Sequence, residues 1–566
     1  MRTLLLLLFC ITGISAYSQS LCRIYGADVY TANGLDVYIG GSIINDSASI
    51  FENQGNIHVV GDFLNNGQFN HQGQFSLSGN WINNAEFIAQ PNSDVFLDGA
   101  NQSIKGISQT SFGRLQLNGS GDKTLEQHTQ TESLFLFDRL LLTDSFRMKV
   151  NSTQASAIQR TSGYVKSERY GKLERSVIAG QTYLFPVGRG LNYKPVEITP
   201  ASNSTNIGVR LADVDASLED LPRTQVDTSI CRSNADYYHL ISGNIPLGSQ
   251  IRFEVDSITA SEFPLMANRD ANQNLGWNHI VSQSPNFNGM SATIEFNTQS
   301  SGTDQAFLMV RSRPLRPIIL GDTAFCQQSE NAEFYVSSSQ GLQTNWQWTS
   351  GELVQQSDSS LTVNWGNQQT GLISAVQTDN AGCSSFTSEF FVTLWPLPQA
   401  SYFTEVPDLP FEDQPFSFTN TSSGSSDQVW TISEVSDLID SLITVRFENP
   451  GIYNVLLTVN NEFGCIDTAR GVVEVIEGME FPNSFSPNGD GVNDELVLMN
   501  SGIKEYSLHV YDRWGNPVFE SNASKLSWDG RTSSGALVNP GTYFLVLNAA
   551  SIMKNYEKRF TVSVFY

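Results

Sequence analysis

The chain has 566 residues with 57 acidic and 32 basic side chains, a formal net charge of −25, yet only 16% of its residues are charged. At about 150 residues per domain that length holds roughly three to five domains, and the acidic balance excludes nucleic acid and anionic lipid as partners, since phosphates call for clustered Lys and Arg. Ser, Thr, Asn, Gln and Gly take the place of charge and Phe and Tyr are abundant, which favours strands and turns and predicts an all-β surface or secreted protein.

At the amino terminus, Arg2 precedes an apolar run from Leu4 to Ile11, and Ala16 and Ser18 occupy the −3 and −1 positions of a peptidase site. This predicts a signal peptide over residues 1–18 with cleavage before Gln19. The run is too short to span a bilayer, and no transmembrane segment is expected elsewhere.

Residues 23–155 carry a recurring phrase: Gly41-Ser-Ile-Ile-Asn45, Gly61-Asp-Phe-Leu-Asn65, Gly79-Asn-Trp-Ile-Asn83 and a weaker copy at Gly99. Glycines 20, 18 and 20 residues apart, with short alternating runs between Asn- and Gly-rich corners, predict a β-solenoid whose coils stack to bury what none can bury alone. Ile44, Leu64 and Ile82 are expected to face inward, and Asn45, Asn65 and Asn83 to form an asparagine ladder or left-handed corners. A polar groove gripping glycans is the functional alternative for those asparagines.

Residues 156–316 lose the repeat and read as one β-sandwich, closed by the linker Arg313-Pro-Leu-Arg-Pro317. Two units of about 80 residues follow, 317–396 and 397–477, each with a tryptophan on a central strand and a late Gly-Cys turn, an immunoglobulin-like plan. Both resemble PKD-type modules, the second through the alternation Gly451, Tyr453, Val455, Leu457, Val459. Trp346 and Trp348 lie between Cys326 and Cys383, which predicts that these two cysteines form a disulfide. Cys22, Cys231 and Cys465 are left without an assigned partner, and no pair has the spacing of a zinc site.

The last segment, 478–566, carries the densest motifs. Ser486-Pro487-Asn488-Gly489-Asp490-Gly491-Val492-Asn493-Asp494 is a Pro- and Gly-rich loop in which Asn488, Asp490, Asn493 and Asp494 are candidate calcium ligands, though without EF-hand spacing. Asx turns that merely start the domain are the competing reading. Arg513-Trp514-Gly515, Trp528-Asp529-Gly530 and Pro540-Gly541-Thr542-Tyr543 follow in order, between alternating runs that predict a small antiparallel sandwich. These motifs closely resemble the gliding-motility-associated C-terminal domain of Bacteroidetes, the type B sorting signal of the type IX secretion system. The resemblance implies an address: export through the signal peptide, passage across the outer membrane by the type IX machinery, and display at the surface or release. Pro487, Asn488, Gly489, Asp490, Gly491, Asn493, Asp494, Arg513, Trp514, Gly515, Trp528, Asp529, Gly530, Gly541 and Tyr543 are the residues on which it rests.

Catalytic signatures are missing. Six histidines are scattered singly, and there is no H-E-x-x-H, G-x-S-x-G, Walker loop or Rossmann fingerprint. Glu52, Asp62, Glu86 and Asp94 are the solenoid carboxylates that an exported polysaccharide-active enzyme, the alternative function, would draw on within residues 24–316. Asp-Ser/Thr-aliphatic tripeptides, as at Asp256-Ser257-Ile258 and Asp440-Ser441-Leu442, resemble acceptors of periplasmic O-glycosylation and also arise by chance in such a composition. The expectation is a non-enzymatic protein acting in adhesion, matrix contact or gliding, with surface glycans or matrix as partners, and with no cofactor unless calcium is bound.

Overall fold

The computed structural model describes residues 21–566 except 168, 190–191, 244, 274, 281–282, 289–290, 299–303, 338, 499–504 and 523–525. The signal-peptide expectation therefore lies outside the described residues. The fold is all-β and divides into two units.

In the first unit, three parallel ladders wind as a solenoid. The first climbs from Leu21–Ile24 through Ser42–Asn45, Phe63–Asn65 and Trp81–Asn83; the second begins at Asp28–Thr31; the third begins at Asp36–Ile39. Residues one coil apart pair in register, Ile43 with Phe63 and Phe63 with Trp81. The repeat glycines follow from that stacking: a Cβ on Gly79 would collide with the backbone of Gly61 one coil below.

The inward set differs from expectation by one residue. Ile43, Asn45, Phe63, Asn65, Trp81 and Asn83 are buried, whereas Ile44, Leu64 and Ile82 are only half-buried on the outer face. Strand side chains alternate, so fixing one position fixes the rest. The asparagines decide it: Asn45 Nδ2 donates to Asn65 Oδ1 and Asn65 Nδ2 to Asn83 Oδ1, both at 2.8 Å. The ladder is thus internal, and it places Phe63 and Trp81 in an aromatic core with Phe51, Phe69, Phe75 and Phe112. Burial of each such ring stabilises the coil by about 1.5–3 kcal/mol.

The parallel ladder does not stop at residue 155. It runs on through Tyr164–Lys166 to Val187–Arg189. From the fifth coil the buried rungs are Ile104, Leu125, Leu141, Val165 and Val187, aliphatic residues that carry no readable phrase. Lys172–Val177 is the seam: it pairs parallel with Arg147–Val150 on one side and antiparallel with Ser204–Ala212 on the other. Solenoid and sandwich share one apolar core from Ile24 to Met309.

The second unit holds two Ig-like sandwiches and the C-terminal domain. Trp346 and Trp430 fill the two sandwich cores and donate their indole N–H groups to Ser357 O at 2.9 Å and Asp440 O at 3.0 Å. Between them, the rings of Trp395 and Phe463 stack at 3.9 Å and Asn461 donates to Pro396 O at 2.8 Å.

The expected Cys326–Cys383 disulfide is replaced by two others: Cys231 with Cys383, and Cys326 with Cys465, while Cys22 is free. Cys326 ends a strand level with Trp395, and Thr393 lies opposite Thr370 at the start of Thr370–Asp379. Cys383 lies beyond the other end of that strand, roughly 30 Å away at about 3.3 Å per residue, far outside the reach of an S–S bridge. The two Gly-Cys turns are built alike: Asp379 Oδ1 accepts from the Ala381 and Cys383 amides, and Asn461 Oδ1 from those of Phe463 and Cys465. The tip at 377–386 belongs to the first unit, where it meets Cys231.

Candidate functional site

The C-terminal domain is a five-stranded sheet, Ser484–Phe485, Asn555–Val564, Gly541–Ala550, Glu505–Tyr511 and Pro517–Ser521, over the pair Leu496–Leu498 and Leu526–Trp528. Trp528 is fully buried among Leu508, Leu545, Leu547 and Val562. The strands point the connecting loops to two ends. At one end the hairpin after Ala550 is held by Glu474, whose carboxylate accepts from the Ile552 amide at 3.0 Å and the Met553 amide at 3.2 Å. The other end carries the loops of all four motifs.

In the 486–494 loop each carboxylate is turned onto the backbone. Asp494 accepts from the Gly489 and Gly491 amides, both at 2.7 Å, and Asp490 from the Val492 amide at 2.8 Å. Asn488 Oδ1 accepts from the Asp490 amide and its Nδ2 donates to Asp490 Oδ2, both at 3.0 Å. The Val492 bond, then that from Asn488, holds the Asp490 carboxyl below the usual carboxylate range. Gly489, Gly491 and Asn493 supply the positive φ angles, 81°, 86° and 55°. Asn488, Asp490, Asn493 and Asp494 are thus brought together as nested turns, and among the described residues no group of three His, Cys, Asp or Glu side chains converges on a cation position.

Each remaining motif locks against a neighbour. Asp512 Oδ1 accepts from the Trp514 and Asn516 amides at 2.9 and 2.8 Å, which folds Arg513-Trp514-Gly515 into a tight turn and leaves Trp514 82% exposed. Bonds from Asn516 lower the Asp512 carboxyl as well. Trp528 Nε1 donates to Arg531 O at 2.8 Å, and Asp529 accepts from the Arg531 amide at 3.1 Å. Gly530, at φ 71°, lies so close to the first loop that a Cβ there would stand 2.6 Å from Pro487 Cγ. At Gly541 a Cβ would stand 3.1 Å from Arg513 Nη2. Tyr543 donates its hydroxyl to Asn539 O at 2.7 Å, as Tyr453 does to Asn449 O at 2.8 Å in the preceding sandwich. The phrase Asn-Pro-Gly-x-Tyr, present at both 449–453 and 539–543, was the available signal for this shared corner.

Sequence reasoning missed the chain's own last residues. Tyr566 donates to Val538 O at 2.6 Å and the Phe565 amide to Phe485 O at 3.1 Å, placing both side chains at the motif end. With Val492, Trp514 and Leu537 they give that end exposed apolar and aromatic side chains.

The solenoid carboxylates are not brought together. Glu52 lies on the second ladder and accepts from Asn70, Asp62 precedes a strand of the first and accepts from Asn80, and Asp94 begins a strand of the third, paired with Arg114. Glu86 is exposed.

Residues 479–563 match the CHU_C type IX secretion signal domain, so the C-terminal domain is a type IX sorting domain and the chain is exported to the cell surface or released. No curated protein matches the chain. Among solved structures it is similar to the PKD1 domain of the Vibrio cholerae metalloprotease PrtV, at 24% identity over 14% of this chain and 96% of that one, with a TM-score of 0.13. It is also similar to latent PorU of Porphyromonas gingivalis, at 12% identity over 47% of this chain and 36% of that one, TM-score 0.14. A third similarity is to a Bacteroides ovatus mixed-linkage glucan utilization locus protein, SGBP-B, at 13% identity over 44% of this chain and 70% of that one, TM-score 0.13. No helix among the described residues is long and apolar enough to cross a membrane.

Proposed function

We propose that the motif-bearing end of the C-terminal domain is the face the secretion machinery reads, with Trp514 its principal contact, and that the exported modules then act in adhesion, matrix contact or gliding without catalysis. The observation that carries the reading is the convergence of four sequence-separated motifs on one exposed end, while Glu474 occupies the other. An exposed indole on a rigid turn contributes large contact area at little entropic cost. In the native host, Trp514→Ala is expected to leave the folded chain in the periplasm, with an unchanged melting temperature because the side chain supports nothing beneath it. Wild-type levels outside the cell would reject the assignment.

Calcium is not needed for this role. The loop's carboxylate oxygens already accept amide hydrogens, so Asp494→Ala is expected to lower stability equally in calcium and in chelator. A melting temperature that rises with calcium in the parent and not in the variant would reinstate the cation site. Adhesion is tested by binding of the exported protein to surface polysaccharides and matrix; glycan turnover lost in a Glu52 or Asp94 variant would instead favour an enzyme.

A further inference from the structure

The solenoid's first coil is its open end. Leu21–Ile24, Asp28–Thr31 and Asp36–Ile39 each form the terminal strand of their ladder, so among the described residues three backbone edges are unpaired at once. Interior side chains show through: Cys22, Val29, Val37 and Ile39 pack against the core yet are only partly covered, and Tyr25, Tyr30 and Tyr38 are exposed on the outside. Parallel strand edges of this kind pair readily with further strands and are normally capped or charged. Only Arg23, Asp28 and Asp36 carry charge on this coil, and Arg23 is already paired with Asp46 below it.

We infer that the first coil docks on the first coil of a second copy, about a two-fold axis through Tyr30. A two-fold runs strands antiparallel and maps the middle strand onto itself and the first onto the third. Interior must meet interior, and the observed alternation then restricts the register. Cys22 falls opposite Ile39 of the second copy, Ile24 opposite Val37, and Val29 opposite Thr31. Outside, Tyr30 meets its own counterpart, Arg23 meets Tyr38 in a cation–aromatic pair, and Asp28 and Asp36 meet Ala32 and Tyr25. No like charges oppose one another, so the coil is complementary to itself in polarity and charge. Added salt should strengthen the pairing, because the two copies repel through their net acidity.

Sedimentation of the full exported chain tests this. The parent is expected to dimerise reversibly, and Tyr30→Lys, which sets two ammonium groups across the axis, to raise the dimer dissociation constant at least tenfold, with Tyr30→Phe unchanged. Tyr38→Lys, opposite Arg23, is an independent variant on an exposed site with the same expected result, folding being checked by circular dichroism. Alkylation of Cys22 should slow as dimer accumulates. A parent that stays monomeric, whether its Cys22 reacts (an edge open to other partners) or not (a cap from its own chain), overturns the inference, as does a dimer indifferent to both lysines.

Discussion

His71 and His239 are the residues whose surroundings say most about acid stability. His71 is fully buried, with Nδ1 3.2 Å from Asn53 Nδ2 and Nε2 3.0 Å from Asp94 O; His239 Nε2 is 3.1 Å from Lys194 O. The amide of Asn53 donates, so the His71 ring is neutral with its proton on Nε2. Burial depresses both imidazoles to about 4 from an ordinary 6.5. Between those values the unfolded chain binds protons that the folded chain does not, so stability is complete above pH 6.5 and falls as pH drops toward 4. At pH 5 the loss is about 2 kcal/mol per histidine. Urea titrations at pH 7 and pH 5 check it: His71→Gln should be less stable than the parent at pH 7 and should lose less on acidification. Neither histidine was legible in the sequence as buried, because a lone His on an alternating strand has no partner in its own phrase. The partners of His71 arrive from neighbouring coils, and that of His239 from a segment 45 residues earlier in the chain.

At the scale of elements, the solenoid was legible because its period is written in glycine and asparagine, residues required where backbones touch and where amides chain together. Its inward face was not, because hydropathy assigns Ile44, Leu64 and Ile82 to the core, whereas the asparagine ladder, one of the two readings of the same phrase, lies inside and turns them outward. The buried ladder reverses that order. Asn65 is its middle rung, accepting from Asn45 and donating to Asn83 and, at 3.0 Å, to Glu86 O. Asn65→Leu should therefore cost about 1–3 kcal/mol for each neighbouring amide group left unpaired, whereas Leu64→Asn, on the outer face, should cost well under 1 kcal/mol. Chemical denaturation of the two variants separates an internal ladder from an external one. In the sorting domain the motifs were legible one by one, but their meeting was not. Only the packing of Gly530 on Pro487 and of Gly541 beside Arg513 shows that they share an end.

For the whole molecule, the disulfide pattern is the feature that sequence order concealed. Cys326 and Cys383 lie within one module, and that proximity in sequence suggested a bond that the sheet holds apart. Each Gly-Cys turn instead reaches back, Cys383 to Cys231 across 152 residues and Cys465 to Cys326 across 139. Non-reducing peptide mapping of the exported protein should recover these two pairs and an unpaired Cys22. A native disulfide typically stabilises by about 2–4 kcal/mol, so Cys465→Ser should lower the denaturation midpoint without changing the fold.

The two bridges also overlap along the chain, each enclosing one end of the other. The shortest covalent path from Cys231 to Cys465 therefore doubles back through residues 326–383 instead of following the intervening sequence. A tether under load is as long as its shortest path, so most of the chain between those cysteines is shielded from tension even when its sheets are torn. Stretched between its ends, the oxidised protein should stop short of its full contour length, and reductant should release the hidden slack.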